Sequence, residues 1–159
     1  MGVFADHQPI YASHNIPTFP VQGKKPAVKG FARFGLKTSG QLAFKFPDID
    51  ALAFMAGGRS RITSLDIDSS DEDLLRDMMK RHGQTSIIVR SGSGNFQAWY
   101  LFNGEKRLIR PYGASVPVDV LGRVDKRGSP GAVIVIQAGI CNGDQRGTRP
   151  DVERRVGVL

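Results

Sequence analysis

The chain has 159 residues, a length that fits one domain of ordinary size and excludes two full ones. Its one cysteine, Cys141, excludes an internal disulfide and a cysteine cluster, and the lack of a signal-peptide pattern or of 18 consecutive apolar residues predicts a soluble, cytoplasmic protein. The net charge is +7, and residues 1–46 carry six basic side chains against Asp6 alone, which favours a polyanionic partner, although a solvated basic face without a partner has the same charge.

The first part of the chain alternates helical and extended patterns. Residues 2–14 are predicted to form an amphipathic helix, which Pro9 is expected to shorten, and residues 16–21 a short apolar strand. The basic loop GKKPAVKG follows. Ser39 is expected to cap a helix that runs through about residue 46, and ALAFMAGG reads as a buried strand closed by glycines.

The second part predicts a sheet with a helix between its first two strands. RITSLDID is a strand, and SSDEDLLRDMMKRHG a helix with Ser69 and Glu72 as a capping box. TSIIVRS and FQAWYLF form a predicted hairpin around the turn SGSGN, and VPVDVL and GAVIVIQAGI are further strands. The pattern predicts an α+β domain over residues 1–138, with an RRM-like mixed sheet from residue 61 onward, followed by a weakly structured polar tail at 139–159.

Two aspartates stand two residues apart in the first strand of this sheet. Asp66 and Asp68 are expected on one face, with Cα atoms roughly 6.6 Å apart. Carboxylates at this spacing suit Mg²⁺ or Mn²⁺, which prefer oxygen ligands. An ordinary solvent-facing strand end explains the same pair, because Asp-x-Asp is common by chance.

Two further segments are candidates for the same chemistry. Asp119 lies between valines in VPVDVL, as a third metal ligand or as a solvent-facing residue of an edge strand. The turn VRSGSGN joins Arg90, Ser91, Gly92 and Ser93, and its backbone amides suit a phosphate, although a plain hairpin turn has the same composition.

Four segments together resemble the bifunctional DNA primase/polymerase (prim-pol) N-terminal domain family of the archaeo-eukaryotic primase superfamily. They are FADHQPIYASHNIPTFPVQGKKPAVKGFARF, SRITSLDIDSSD, IIVRSGSGNFQAWY and VPVDVLG, in family order over about residues 3–122. The resemblance implies a small N-terminal α/β unit beside an RRM-like sheet that carries the acidic site. It also implies template-directed nucleotide addition with Mg²⁺ or Mn²⁺ in the replication of plasmids, phages or integrated elements.

The resemblance assigns roles to individual residues. Asp66, Asp68 and Asp119 match the catalytic, metal-binding acids, which are therefore expected to converge on one cluster. The segment that holds the triphosphate begins at Arg90, Ser91 and Gly92. The basic N-terminal loop corresponds to Lys24, Lys25 and Lys29. The implied partners are nucleoside triphosphates, a single-stranded DNA template or primer, and a replicative helicase supplied in trans.

Two departures from the family pattern keep other functions open. Gln97 stands where the family has a histidine, and it can donate a hydrogen bond to a phosphate but never carries positive charge. After VPVDVLG the chain continues as RVDKRGSPGAVIVIQAGI where the family has a Val-Val-Ala-Pro-Pro-Ser-like stretch. The alternatives are a decayed or truncated domain that binds nucleotide or single-stranded DNA without synthesis, an RRM-like binder using Phe96, Trp99 and Tyr100, and a metal-dependent phosphohydrolase.

Overall fold

A computed structural model describes residues 2–123 and 133–137 of the chain. The predicted tail at 139–159 lies outside the described residues. The described part is α+β, as the sequence predicts, with three α-helices and two four-stranded sheets.

The first sheet brings together strands from both ends of the described chain. The elements of this unit are α1 (Val3–Ser13), β1 (Thr18–Gln22), β2 (Lys25–Pro26), a 3₁₀ turn (Phe31–Arg33), α2 (Leu36–Lys45), β3 (Ala51–Met55) and β8 (Val133–Gln137). The strands lie in the order β2-β1-β3-β8, and every neighbouring pair is antiparallel. The buried strand predicted for ALAFMAGG is therefore confirmed at β3, and the last predicted strand is confirmed at β8.

The second sheet follows in sequence and holds the predicted acids. It has the order β5-β6-β4-β7. Its elements are β4 (Ile62–Ile67), α3 (Glu72–His82), β5 (Ile87–Arg90), β6 (Phe96–Leu101) and β7 (Val118–Leu121). All its neighbouring pairs are antiparallel, so the prediction of a mixed sheet is wrong in that respect.

Apolar side chains stack these elements into layers. Met78 of α3 packs against Leu65 and Ile67, which cover one face of the second sheet. The other face packs on the first sheet, where Trp99 meets Phe54 edge-on with ring centroids 5.3 Å apart. The second sheet therefore has α3 on one side and the first sheet on the other.

The predicted starts of α2 and α3 are both wrong. The α2 helix begins after Gly35, and Ser39 is a buried interior residue whose Oγ accepts from the backbone N–H of Thr18 at 3.0 Å. The cap of α3 is Asp71, whose carboxylate accepts from two backbone N–H groups, whereas Ser69 accepts from the N–H of Asp71. Tertiary contacts thus hold Ser39 inside α2, whereas at α3 local hydrogen bonds favour Asp71 over Ser69 as the cap.

Pro9 does not shorten α1, so the expected shortening is wrong. The helix runs through it from Val3 to Ser13, within one residue at each end of the predicted range of residues 2–14. Pro9 is the seventh residue of the helix, past the first N–H groups that lack an intrahelical acceptor, so it removes one intrahelical hydrogen bond, while the buried side chains of Phe4 and Gln8 hold the helix against the rest of the fold.

Candidate functional site

The register of the second sheet aligns three polar side chains across neighbouring strands. Asp66, in the central strand β4, lies directly opposite Gln97 of β6 on one side and opposite Asp119 of β7 on the other. Directly paired residues point to the same face, with Cβ atoms about 4.5–5.5 Å apart. We call Asp119, Asp66 and Gln97 the cross-strand row.

The row lies on the face of the second sheet that is turned toward the first sheet. Trp99 and Leu121, two residues beyond Gln97 and Asp119, share that face and pack into the core between the sheets. Asp66 and Asp119 are half-buried, and 26% of the Asp119 side chain is exposed. The row therefore forms a polar border where the apolar core between the sheets ends.

Asp68 lies beside this border at the exposed end of β4, a position that we call the rim. It follows the last residue of β4, and its backbone N–H donates to the carbonyl of Pro117 at 2.8 Å. Its exposed carboxylate accepts a 3.4 Å hydrogen bond from the side-chain amide of Asn95. The structure thus brings Asp68 near Asp66, at the strand end and outside the paired register.

Asp119 is held by a residue that the sequence did not indicate. Its Oδ1 accepts from the backbone N–H of Arg110 at 2.9 Å, and the Arg110 Nε lies 3.9 Å from the same oxygen. Arg110 has a φ of 49°, a left-handed conformation that is uncommon outside glycine. It lies in the motif-free segment between β6 and β7, so no sequence pattern identifies it.

Gln97 uses both ends of its amide. Its Nε2 donates to Asp66 Oδ1 at 3.2 Å, and its Oε1 accepts from the Trp99 indole N–H at 3.4 Å. The structure therefore places Gln97 beside Asp66, with the amide bonded to protein groups at both ends.

Electrostatics single out Asp66 among the acids. Burial raises the pKa of its carboxyl above the ordinary value, the hydrogen bond from Gln97 lowers that pKa in part, and the charges of Asp68 and Asp119 raise it further. The ionised form is thus unfavourable in this position, and a bound cation would offset the repulsion.

The donor types of the site fit a hard divalent cation, but the side chains are not arranged around one. Asp66, Asp68 and Asp119 supply the carboxylate oxygens that Mg²⁺ and Mn²⁺ prefer. Within residues 2–123 and 133–137, no group of three or more His, Cys, Asp or Glu side chains is placed to hold a metal ion. Each carboxylate instead bonds its own protein partner: Gln97, Asn95 or Arg110.

The predicted triphosphate turn is an internally bonded hairpin. The backbone N–H groups of Ser91, Gly94 and Asn95 all bond within the turn, and the hydroxyls of Ser91 and Ser93 lie 2.9 Å apart. A side chain added at Gly92 would meet open space. The turn is exposed and next to the rim, but three of its amides are already bonded.

Arg90 lies on the other face of the sheet. Its guanidinium is 5.3 Å from the ring centroid of Phe96, which belongs to the core covered by α3. The structure thus separates Arg90 from the cross-strand row, although both flank the same turn.

The predicted basic residues lie on the first sheet. Lys24 and Lys25 are exposed at the β1–β2 hairpin, and Lys29 is exposed just beyond it. None of the three takes part in an ion pair within the described part of the chain.

Comparisons with protein-family models and with curated proteins find no match to this chain. Over residues 2–123 and 133–137, none of the helices has the length and apolar character needed to cross a membrane. Fold and site together define an α+β protein with a carboxylate pair aligned across two strands.

Proposed function

We propose that this chain is a prim-pol-type nucleotidyltransferase domain, which adds nucleotides on a single-stranded DNA template with Mg²⁺ or Mn²⁺ in the replication of plasmids, phages or integrated elements. The observation that supports it is the register that sets Asp66 opposite Asp119 on one sheet face. Asp68 borders them at the rim. In the prim-pol resemblance these three positions are the catalytic acids.

The topology of the second sheet supports the same family. In chain order, β4, β5, β6 and β7 are the first to fourth strands of this sheet. They lie side by side in the order 2-3-1-4, and α3 connects the first strand to the second. This is the order of an RRM-like sheet, with the loop of residues 102–117 in place of a second helix. The first sheet and its helices correspond to the N-terminal unit that the resemblance implies.

Asp66 and Asp119 are the residues that would hold the cation, with Asp68 contributing from the rim. When bound, such ions activate a primer 3′-hydroxyl and stabilise the leaving pyrophosphate. Asp119 would then exchange its contact with Arg110 for the cation. The released guanidinium, always charged and suited to phosphate oxygens, would be available to the triphosphate.

A second candidate is a decayed or truncated prim-pol domain that binds nucleotide or single-stranded DNA without synthesis. The observation that favours it is that each acid bonds its own protein partner, with no metal-holding group among the described residues. The neutral Gln97 in place of the family's histidine points the same way. The RRM-like binder loses support, because Phe96 and Trp99 are 5% and 8% exposed and belong to the core.

The test is primer extension and de novo synthesis with Mg²⁺ and with Mn²⁺, on the wild type, Asp66→Asn, Asp119→Asn and the control Asp50→Asn. Asp50 is an exposed acid just before β3 of the first sheet, whereas the row lies on the second sheet. Loss of a metal ligand removes several kcal/mol of transition-state stabilisation, so each site variant is expected to lose about 100-fold or more in rate, and the control none.

The other outcomes separate the alternatives. Metal-dependent nucleotide binding without product supports the decayed domain. Phosphate release without chain extension identifies a phosphohydrolase. A folded protein that neither binds nor turns over nucleotides contradicts both the proposal and the decayed domain.

A further inference from the structure

Trp99 completes a chain of hydrogen bonds that ends at Asp66. It lies two residues beyond Gln97 on the same face of β6, and its indole N–H donates to Gln97 Oε1. Gln97 Nε2 then donates to Asp66 Oδ1. We propose that Trp99 is a positioning residue that fixes the Gln97 amide with its N–H end toward Asp66.

The chemistry of the three groups allows only one orientation of the amide. An indole nitrogen is a donor only, and an ionised carboxylate is an acceptor only. The amide between them has one acceptor end and one donor end. Its oxygen must therefore face Trp99 and its nitrogen must face Asp66, and removal of the indole N–H removes one of the two bonds that select this orientation.

Packing holds Trp99 in place from the first sheet. The side chain is buried, and its ring meets the ring of Phe54 in β3 at an interplanar angle of 86°. The core between the sheets thus determines the direction of the indole N–H, and through Gln97 the orientation of the Asp66 carboxylate. The hydrogen bond from Gln97 orients the Asp66 carboxylate, whose ionised form is made unfavourable by burial and by the charges of Asp68 and Asp119.

The orientation of the Asp66 carboxylate is expected to affect cation binding. This expectation rests on the proposed function, whereas the chain of hydrogen bonds does not. Groups that orient a metal ligand contribute to metal affinity without touching the metal. Removal of the indole N–H is therefore expected to weaken divalent cation binding by about two- to ten-fold, the effect of one hydrogen bond.

The chain of bonds is tested first without metal. Trp99 is the single tryptophan, so the protein gives one indole N–H resonance in a nitrogen–proton NMR spectrum. Loss of its acceptor in Gln97→Ala is expected to move this resonance upfield. Asp66→Asn is expected to move it less, and the control Asp50→Asn not at all. An unchanged resonance in folded Gln97→Ala overturns the proposal, whatever the metal measurements show.

The second test measures Mn²⁺ binding by electron paramagnetic resonance of the free ion, in Trp99→Phe, Gln97→Ala and the double variant. The matched control is Phe19→Leu, which alters a buried aromatic side chain of the first sheet that lies outside the cluster around Trp99. We expect weaker binding in Trp99→Phe, no further loss when it is added to Gln97→Ala, and unchanged binding in the control.

The outcomes distinguish this inference from the proposed function. Wild-type affinity in Trp99→Phe, or losses that multiply in the double variant, overturn the positioning role. If the wild type binds no Mn²⁺ while the indole resonance responds to Gln97→Ala, the metal site fails and the positioning of Gln97 stands. If Trp99→Phe does not fold, the Gln97→Ala spectrum decides.

Discussion

Ionised Asp66 is unfavourable for folding, although the proposed cation site requires it. Burial and two neighbouring carboxylates raise its pKa, with partial compensation from Gln97. A carboxyl whose pKa is higher in the folded than in the unfolded state stabilises the fold below the unfolded pKa, and this contribution is lost as the pH rises through the folded pKa. At neutral pH and without a cation, ionised Asp66 therefore opposes folding.

Asp66→Asn is accordingly expected to stabilise the metal-free protein at pH 7, by about 0.5–1 kcal/mol, the scale of a partly screened charge interaction. The gain should shrink as the pH falls and the wild-type carboxyl becomes protonated, because its raised pKa makes it take up a proton at a higher pH than an ordinary aspartate. Urea denaturation in the presence of a chelator measures it, with Asp50→Asn as the control. A variant that is less stable than the wild type at pH 7 would show that the Gln97 hydrogen bond outweighs the repulsion.

Gln97 gives a second prediction at the residue scale, for nucleotide binding with Mn²⁺. An amide that also donates to a triphosphate oxygen contributes about 0.5–1.5 kcal/mol, so Gln97→Ala should bind about two- to ten-fold more weakly. Gln97→His should preserve or strengthen binding, with a new pH dependence near 6–7, where an ordinary imidazole titrates. Titrations of the three proteins across that range measure this, and equal affinities would limit Gln97 to a structural role.

At the scale of elements, local sequence patterns identified most strands and helices, because alternation and capping are local properties. The position of Asp119 within VPVDVL already made it a candidate third ligand, and strand pairing sets it opposite Asp66 of β4. The contacts of Arg110 and Trp99 were not predictable in this way. Arg110 reaches Asp119 through a long loop, and the bond between Trp99 and Gln97 has meaning only once β6 is paired with β4.

Ser39 shows how tertiary contacts override a local signal. Its Oγ joins three elements, since it bonds the Gln8 amide of α1 and both the N–H and the hydroxyl of Thr18 in β1. Ser39→Ala leaves buried donors without this acceptor and is expected to cost about 1–3 kcal/mol of unfolding free energy.

Chemical denaturation of Ser39→Ala measures this, with Ser13→Ala as the matched control. Ser13 bonds only a carbonyl of its own helix at an exposed position, so its loss should stay within about 0.5 kcal/mol. Equal effects of the two substitutions would show that water replaces the Ser39 contacts.

The cap of α3 gives a separate prediction. Asp71 accepts from the N–H groups of Asp73 and Leu74 at 2.9 and 3.4 Å, so Asp71→Ala should destabilise the protein by about 0.5–2 kcal/mol. Ser69→Ala, at the position that the sequence favoured as the cap, should cost less. Thermal unfolding of the two variants measures both losses of stability, and a larger loss for Ser69→Ala would show that Ser69 is the cap of α3.

At the scale of the whole molecule, the candidate metal-binding acids and the candidate DNA-binding lysines lie on different sheets. The predicted acids lie together on the second sheet, and the exposed lysines of the β1–β2 hairpin lie at the edge of the first. A nucleic acid held at the lysines would be bound by its backbone, because lysine is a point charge without base-specific geometry.

We therefore expect weak binding of single-stranded DNA that depends on salt and not on sequence. Neutralising two to three phosphates of a single strand gives a slope of about −0.7 per contact in the logarithm of affinity against that of salt concentration. Between about 50 and 200 mM salt the affinity should thus fall roughly seven- to twenty-fold.

Lys24→Glu and Lys25→Glu should each weaken binding by the same factor on DNA of different sequences, and each should reduce the slope by about one contact. The control Lys80→Glu makes the same change in net charge at an exposed position of α3. This helix covers the face of the second sheet that is turned away from the first sheet. Fluorescence anisotropy at the two salt concentrations measures this. If Lys80→Glu weakens binding as much as Lys24→Glu, net charge alone attracts the DNA and the hairpin is not its binding surface.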